Sequence, residues 1–293
     1  MQPIRLSRYA PFMRRTLVRF IVPMLIAAAC TGVAFAQRRG FGGGFGFREG
    51  SLPARYAPEH MPDGDFVICR LSYSSVRREE GGIGWLTDYP FSEIHLTTRL
   101  AEITKTRVSR DGEGTPNYYV VRPTDDALFN CPMIVASDVG TIGLEPREIA
   151  RLREYFLKGG FLWVDDFWGT EAWEQWAEQI QEVLPSPDFR IEDLPLTHPL
   201  FHAMFEVSKL PQITNIMFWR RNGGYTSERN EDSVDVHFRV IKDRHDRIMV
   251  VMTHNTDMGD SFEREGEDPE FFAQFSPAGY ALGLDILLHA MSH

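Results

Sequence analysis

Gly159-Gly160-Phe161-Leu162-Trp163-Val164-Asp165-Asp166-Phe167-Trp168-Gly169 is the stretch on which the fold turns. A helical pattern runs up to it from Pro146, a residue suited to a first helical turn, with Ile149, Leu152 and Phe156 on one face. One of the two glycines supplies the left-handed stop. The apolar run that follows is too short for a helix and reads as a buried strand. Two carboxylates sit where that strand runs out. In an open α/β sheet, ligands lie outside the carboxyl ends of the strands. Asp165 and Asp166 therefore mark the expected working edge, with Trp168 beside them. Side chains alternate across a strand, so the two acids face opposite ways. We assign Asp165 to structure and Asp166 to the crevice.

Outward from this strand, helix and strand patterns alternate. Residues 66–73 form an expected first strand. Ser92 is an expected helix cap, followed by Leu96, Leu100 and Ile103 on one face. Residues 118–121 and 133–136 are strands, the second running into Ser137-Asp138. Thr170 is expected to cap a helix bearing Trp173, Trp176, Ile180 and Leu184. Residues 185–199 read as a proline-rich loop and 219–232 as a polar surface excursion. Residues 234–240 and 247–253 are strands, and 277–291 a last helix. Repeated strand-helix-strand units imply a largely parallel sheet covered on both faces. We therefore expect one α/β domain over 57–293, reached through a Gly/Phe/Arg-rich linker at 37–56.

The first 36 residues have the form of a signal peptide. Arg5, Arg8, Arg14, Arg15 and Arg19 precede a short apolar run, and Ala34-Phe35-Ala36 fits a small-x-small cleavage site. Arg14-Arg15 faintly resembles a twin-arginine signal and Ala28-Ala29-Cys30 a lipobox; ordinary export is the reading preferred. The expected location is periplasmic or secreted, with a membrane attachment only through an uncleaved segment. Cleavage removes five Arg and no acid, leaving 26 basic against 41 acidic residues, a formal charge of −15. That excess argues against nucleic acid as a partner. It suits a protein that handles cations, a small ligand or another envelope protein. Cys69 and Cys131 both fall in apolar surroundings. One bridge is open to them, but buried thiols are the preferred reading.

Three expected strand ends carry acids or amides: Asp138, Asp165 with Asp166, and the segment holding His254, Asn255 and Asp257. A parallel sheet would bring these to one edge. Carboxylates and an amide carbonyl there suit a hard divalent cation such as Ca²⁺ or Mg²⁺, and a histidine would admit Mn²⁺ or Zn²⁺. The same residue types also cap helices and form Asx turns, and that structural use is the commoner. His198, in Thr197-His198-Pro199, is a candidate base or ligand, or a turn residue held by its proline. Asp285 and His289 share a helix face, more often a solvated pair than a metal site. Trp85 and Asp88-Tyr89-Pro90 form a loop cluster whose aromatics either bind a sugar ring or pack on the domain. No G-x-S-x-G elbow, P-loop or dinucleotide-binding loop is present.

The order of these segments resembles that of domain of unknown function family 4159, found in bacterial membrane-associated and exported proteins. The resemblance rests on Leu71-Ser72-Tyr73, Trp85-Leu86-Thr87-Asp88-Tyr89-Pro90, Leu96-Thr97-Thr98-Arg99-Leu100 and Leu128-Phe129-Asn130-Cys131-Pro132. It continues with the opening stretch, His198-Pro199-Leu200-Phe201 and Gly279-Tyr280-Ala281-Leu282-Gly283, and covers roughly residues 66–293. It implies a flavodoxin-like three-layer α/β sandwich with a mainly parallel sheet, similar to class I glutamine amidotransferase-like domains. It implies no activity. The chain departs from the amidotransferases at the nucleophilic Cys elbow, which is missing, so glutaminase chemistry is not expected.

Two functions follow as expectations. The first is a non-catalytic binding or assembly domain using the acidic edge, with Asp138, Asp165, Asp166, Trp168, His198, His254, Asn255 and Asp257 as candidate contacts. The second is a metal-assisted hydrolase of envelope carbohydrate, acting through Asp166, His198 and Asp257 on a platform of Trp85, Trp168 and Tyr89.

Overall fold

A computed structural model describes residues 52–292. Its centre is a seven-stranded sheet in the order β3 (Tyr118–Val121), β1 (Ile68–Leu71), β4 (Met133–Ser137), β6 (Leu162–Asp165), β9 (Ile248–His254), β8 (His237–Lys242) and β7 (Ile191–Asp193). The first five are parallel; β8 runs antiparallel to both neighbours. A short ribbon, β2 (Ser74–Ser75) with β5 (Ile142–Gly143), stands apart.

Strand alternation divides the core in two. Cys69, Leu71, Leu162 and Val164 face α2 (Pro146–Leu157) and α3 (Gly169–Val183), which contribute Leu152, Phe156, Trp176 and Ile180. Ile68, Trp163 and Val251 face α1 (Phe91–Ile103), α5 (Asp260–Glu263) and α6 (Pro269–Ser292), which contribute Leu96, Leu100, Phe262 and Leu284. This three-layer arrangement is that of a flavodoxin-like sandwich. A short helix, α4 (Ile216–Arg221), lies between β7 and β8 in the chain.

The opening stretch folds for identifiable reasons. Glu145 and Glu148 form a reciprocal capping box at the start of α2, with Pro146 in its first turn. At the other end, Gly159 takes φ +106°. Gly159 N–H bonds Phe156 O (3.1 Å) and Gly160 N–H bonds Tyr155 O (2.9 Å), the pair of bonds that defines a Schellman stop. A Cβ on Gly160 would lie 2.3 Å from the Tyr155 ring. Two glycines in sequence thus turn the chain directly from α2 into β6.

Several expectations are corrected. Cys69 and Cys131 are joined in a disulfide across 62 residues, with Cα atoms 6.0 Å apart. The preference for free thiols overlooked that β1 and β4 are neighbours, which is a tertiary fact. Ser92 is not a cap: Pro90 occupies that position, and the Ser92 hydroxyl bonds Arg70 and Glu93. Ile103 is exposed. α3 starts at Gly169, and Thr170 donates its hydroxyl to Asp232 instead of capping. The loop at 185–199 contains β7, too short to show a pattern between its prolines. α6 begins at Pro269 and contains Pro277 within it. Arg55, at the end of the expected linker, accepts from Val120 N, and Ala57, the first residue of the expected domain, donates to Val120 O, so the chain joins the sheet beyond β3. The expected signal peptide and residues 37–51 lie outside the described residues.

Candidate functional site: an acidic cleft at the strand ends

After β1 the chain adds β3 on one side and β4 on the other, so the strand order reverses between β1 and β4. A crevice is expected outside the carboxyl ends at such a point. Three parallel strands end here in the same way. Asp138 follows β4 with φ +54°, Asp166 follows β6 with φ +52°, and Asn255 follows β9 with φ +63°. Asp88, in the turn before α1, has φ +65°. Apart from glycine, Asp and Asn are the residues that tolerate this left-handed backbone best. Each one turns the chain sharply off the sheet.

Oxygens of Asp88, Asp166 and Asp257 lie within 4.8 Å of one another. Asp166 and Asp257 come from the loops after β6 and β9, and Asp88 crosses over from the turn before α1. Trp168 Nε1 donates to Asp166 Oδ1 (2.9 Å). Asp257 Oδ1 accepts from Asp260 N (2.8 Å), while its Oδ2 accepts from no described residue. Asp88 Oδ2 accepts from Ser137 Oγ (2.9 Å), which in turn accepts from Arg70 Nη1 (2.7 Å). Arg70 is itself buried in β1, bonded to Glu93 Oε1 (2.5 Å) and Ser92 Oγ (3.1 Å) of α1. Gly259 packs so closely that a Cβ there would sit 2.2 Å from Asp88 Oδ2.

Further acids surround this trio. Asp138, Glu79 and Glu228 line the same cleft, with Arg229 at its side. The free space at its centre, about 10 Å³ for the centre of a water-sized sphere, matches one water or one ion. No ion pair among the described residues reaches Asp166 or Asp257. Burial pushes the Asp166 carboxyl well above the usual range, reinforced by the charges of Asp88, Glu228 and Asp138. Burial does the same to Asp257, reinforced by Asp166, Asp88 and Asp260. Asp138 is pushed up to about 7, chiefly by burial, against the opposing Gly84 N–H bond. Carboxylates gathered in this way hold protons unless a cation replaces them.

A second set, Asp88 with Asp260 and Glu263, also lies within 4.8 Å. It already has a counter-charge: Arg264 Nε is 3.3 Å from Asp260 Oδ1 and 2.6 Å from Glu263 Oε1. The first set is therefore the stronger candidate.

The structure sorts the sequence candidates. Asp138, Asp166, Trp168 and Asp257 line the cleft. Asp165 lies to one side of it, its Oδ1 accepting from Thr253 Oγ1 (2.5 Å) and its Oδ2 from Gly259 N (2.9 Å). With Arg70, Glu93 and Ser137 it lines a separate cavity of about 30 Å³. Asn255 holds the cleft wall, accepting from Gly169 N and donating to Asp235 O. His254 points into the opposite layer and stacks on Phe167 at 4.9 Å. Its Nε2 donates to Gly169 O and its Nδ1 accepts from Arg239, and burial lowers its pKa to about 3. It is a neutral wall residue.

His198 is not part of either acidic set. Its Nδ1 accepts from Leu200 N, and its ring lies 5.9 Å from that of His289 in the last turns of α6. The cleft elements meet α6 earlier, where Gly279 abuts Ser261. Ten residues separate the two places, about 15 Å along a helix. The trio Asp166, His198 and Asp257 therefore does not share one ion. The expected sugar platform is not formed either, because Tyr89 and Trp168 are 0 % and 3 % exposed. Asp285, the helical partner of His289, accepts from the backbone of Met204 and Phe205.

Asp88, Glu79, Glu228 and Arg229 carry no local signal that places them at the cleft. Asp88 stood in a quoted motif but was read for its aromatic neighbours. Glu228 and Arg229 lie in the expected polar surface excursion at 219–232, whose Ser227 is buried.

Fold and site together define a doubly wound α/β domain with an acidic cleft at its topological switch. The model of the family described as Domain of unknown function (DUF4159) matches residues 67–291, and the chain belongs to that family. No curated protein matches the chain.

Proposed function

We propose that this domain is a cation-binding module of an exported envelope protein, holding one hard divalent cation between Asp88, Asp166 and Asp257. The observation that carries this is the approach of three carboxylates to within 4.8 Å with no basic side chain among the described residues reaching Asp166 or Asp257. Like charges gathered this closely cost free energy that a bound cation removes. The oxygen-only set selects Ca²⁺, Mg²⁺ or Mn²⁺ over softer metals. Export is supported by the arginine-rich start, the short apolar run and the disulfide, a bond that persists in oxidising compartments.

We read the domain as related to the class I glutamine amidotransferase-like sandwiches but without their nucleophile. The two cysteines among the described residues are consumed in the bridge, which supports a binding role over thiolate chemistry. Isothermal titration of the mature chain with Ca²⁺, Mg²⁺ and Mn²⁺ tests the proposal. One-to-one binding, weakened at least tenfold by Asp166→Asn, is expected. No heat with any of the three at millimolar concentration would overturn it.

A further inference from the structure

The cleft is covered by its own chain. Glu79, Glu80, Gly81 and Gly82 form one wall of it, facing Asp138, Asp166 and Asp257. This strap is anchored at both ends. On one side β2 pairs with β5 and Val76 N–H bonds Thr141 O (2.8 Å). On the other, Ile83 N–H bonds Thr87 Oγ1 (2.9 Å) and Gly84 N–H bonds Asp138 Oδ2 (2.7 Å). Between these anchors, residues 77–82 donate no backbone hydrogen bond to any described residue.

Two arginines hold the middle instead. Arg77, on the strap, bonds Glu79 (2.6 Å) and reaches outward to Gly140 O (2.8 Å) and Glu171 (2.9 Å). Arg229, on the cleft wall, donates to Glu80 O (2.9 Å) and lies 3.6 Å from Glu79 and 3.7 Å from Glu228. The strap adds little apolar burial, since Val76 and Ile83 are 64 % and 49 % exposed. Gly81 and Gly84 both have positive φ. The strap is therefore held by arginines that are about a quarter exposed, paired with the nearly buried Glu79 and Glu228, and not by apolar burial.

We propose that residues 77–83 are a gate at one wall of the acidic cleft, latched by Arg77 and Arg229, whose opening speeds the passage of an ion to Asp166 and Asp257. What enters rests on the cation reading; the latch itself does not. The free space between the strap and the carboxylates is small, about 10 Å³, so a displaced strap widens the way to them.

Arg77→Gln tests the gate without touching the carboxylates. Amide exchange of Ile83 and Gly84 is expected to quicken at least fivefold in the variant, with β1 and β4 unchanged. Stopped-flow mixing with Mn²⁺, followed by Trp168 fluorescence, is expected to show association and dissociation both faster, at least fivefold. The Kd should change less than twofold. Unchanged exchange at Ile83 and Gly84 overturns the latch, whatever the cation does. Faster amide exchange with unchanged Mn²⁺ rates overturns the gate and leaves cation binding standing. If Mn²⁺, Ca²⁺ and Mg²⁺ all fail to bind the native chain, the cation reading falls, and the exchange comparison alone decides the strap.

Discussion

Asp166 and Asp257, carried by the loops after two neighbouring parallel strands, hold carboxylate oxygens within 4.8 Å of each other, and no basic side chain of the described residues reaches either. Their mutual repulsion makes each a liability in the cation-free domain. Asp166→Asn and Asp257→Asn are each expected to stabilise that state by roughly 1 kcal/mol, seen as about 2–4 °C in Tm for a domain this size. Each should also abolish the Tm rise that Ca²⁺ produces in the native chain. Aspartates with a purely structural role would give destabilisation in the same melting experiment.

Asp138 and Asp165 both have carboxyls raised to about 7, chiefly by burial, from an ordinary value of 3.8. Both are easier to protonate folded than unfolded. Their contribution to stability is therefore complete below about pH 4 and is lost as pH rises through about 7. Urea unfolding of the cation-free chain should show stability falling across that window. Asp165→Asn should flatten the fall, since an amide can keep a bond to Thr253. A stability that rises from pH 4 to 7 would contradict these assignments.

Arg70 and Glu93 are a buried ion pair, and each alone would be an uncompensated charge. Arg70→Met is expected to cost about 3–5 kcal/mol. Arg70→Met with Glu93→Leu should recover much of that loss, because the pair then becomes apolar. The double variant should still bind cation more weakly than the native chain, since Ser137 loses the donor that helps orient it towards Asp88. Urea midpoints and titration heats separate the two effects.

The Cys69–Cys131 bridge closes a loop of 62 residues. By loop entropy, removing it as Cys69→Ala with Cys131→Ala should cost about 4 kcal/mol. Equilibrium unfolding measures this, and thiol alkylation followed by mass measurement of the native chain should find neither residue modified.

Gly259→Ala places a methyl where Asp88 Oδ2 now lies. Its φ of −56° suits alanine, so backbone strain is not at issue. The expected result is a folded domain with at least tenfold weaker Ca²⁺ binding, read by titration.

The frame of this domain was legible in the chain because its signals are local. Pro146, the Gly159-Gly160 pair and the apolar run after them specify α2, its stop and β6 within twenty residues. The end of β6 likewise pointed to Asp166, and the end of β9 to Asp257. The third member of the carboxylate set was not legible, because Asp88 reaches the cleft from a loop some eighty residues before Asp166. Glu228 and Arg229 were hidden for the same reason. His198 misled because a histidine beside proline has the same spacing whether it binds an ion or closes a turn. Cysteine pairing depended on which strands are neighbours, which no local pattern records.

Asp88, Asp138, Asp166 and Asn255 share a left-handed backbone that glycine, asparagine and aspartate accept and larger residues resist. Aspartate converts to asparagine or glycine by a single base change. At these positions the charge of the cleft can therefore be altered in one genetic step while the path of the chain stays the same. Asn255 is a neutral member of the series, used for holding the wall. The domain thus has a built-in dial: at Asp88 and Asp166, two of the three proposed ligands, one base change removes a charge on an unchanged scaffold, and a count of acids at positions 88, 166 and 257 ranks variant chains by expected cation affinity.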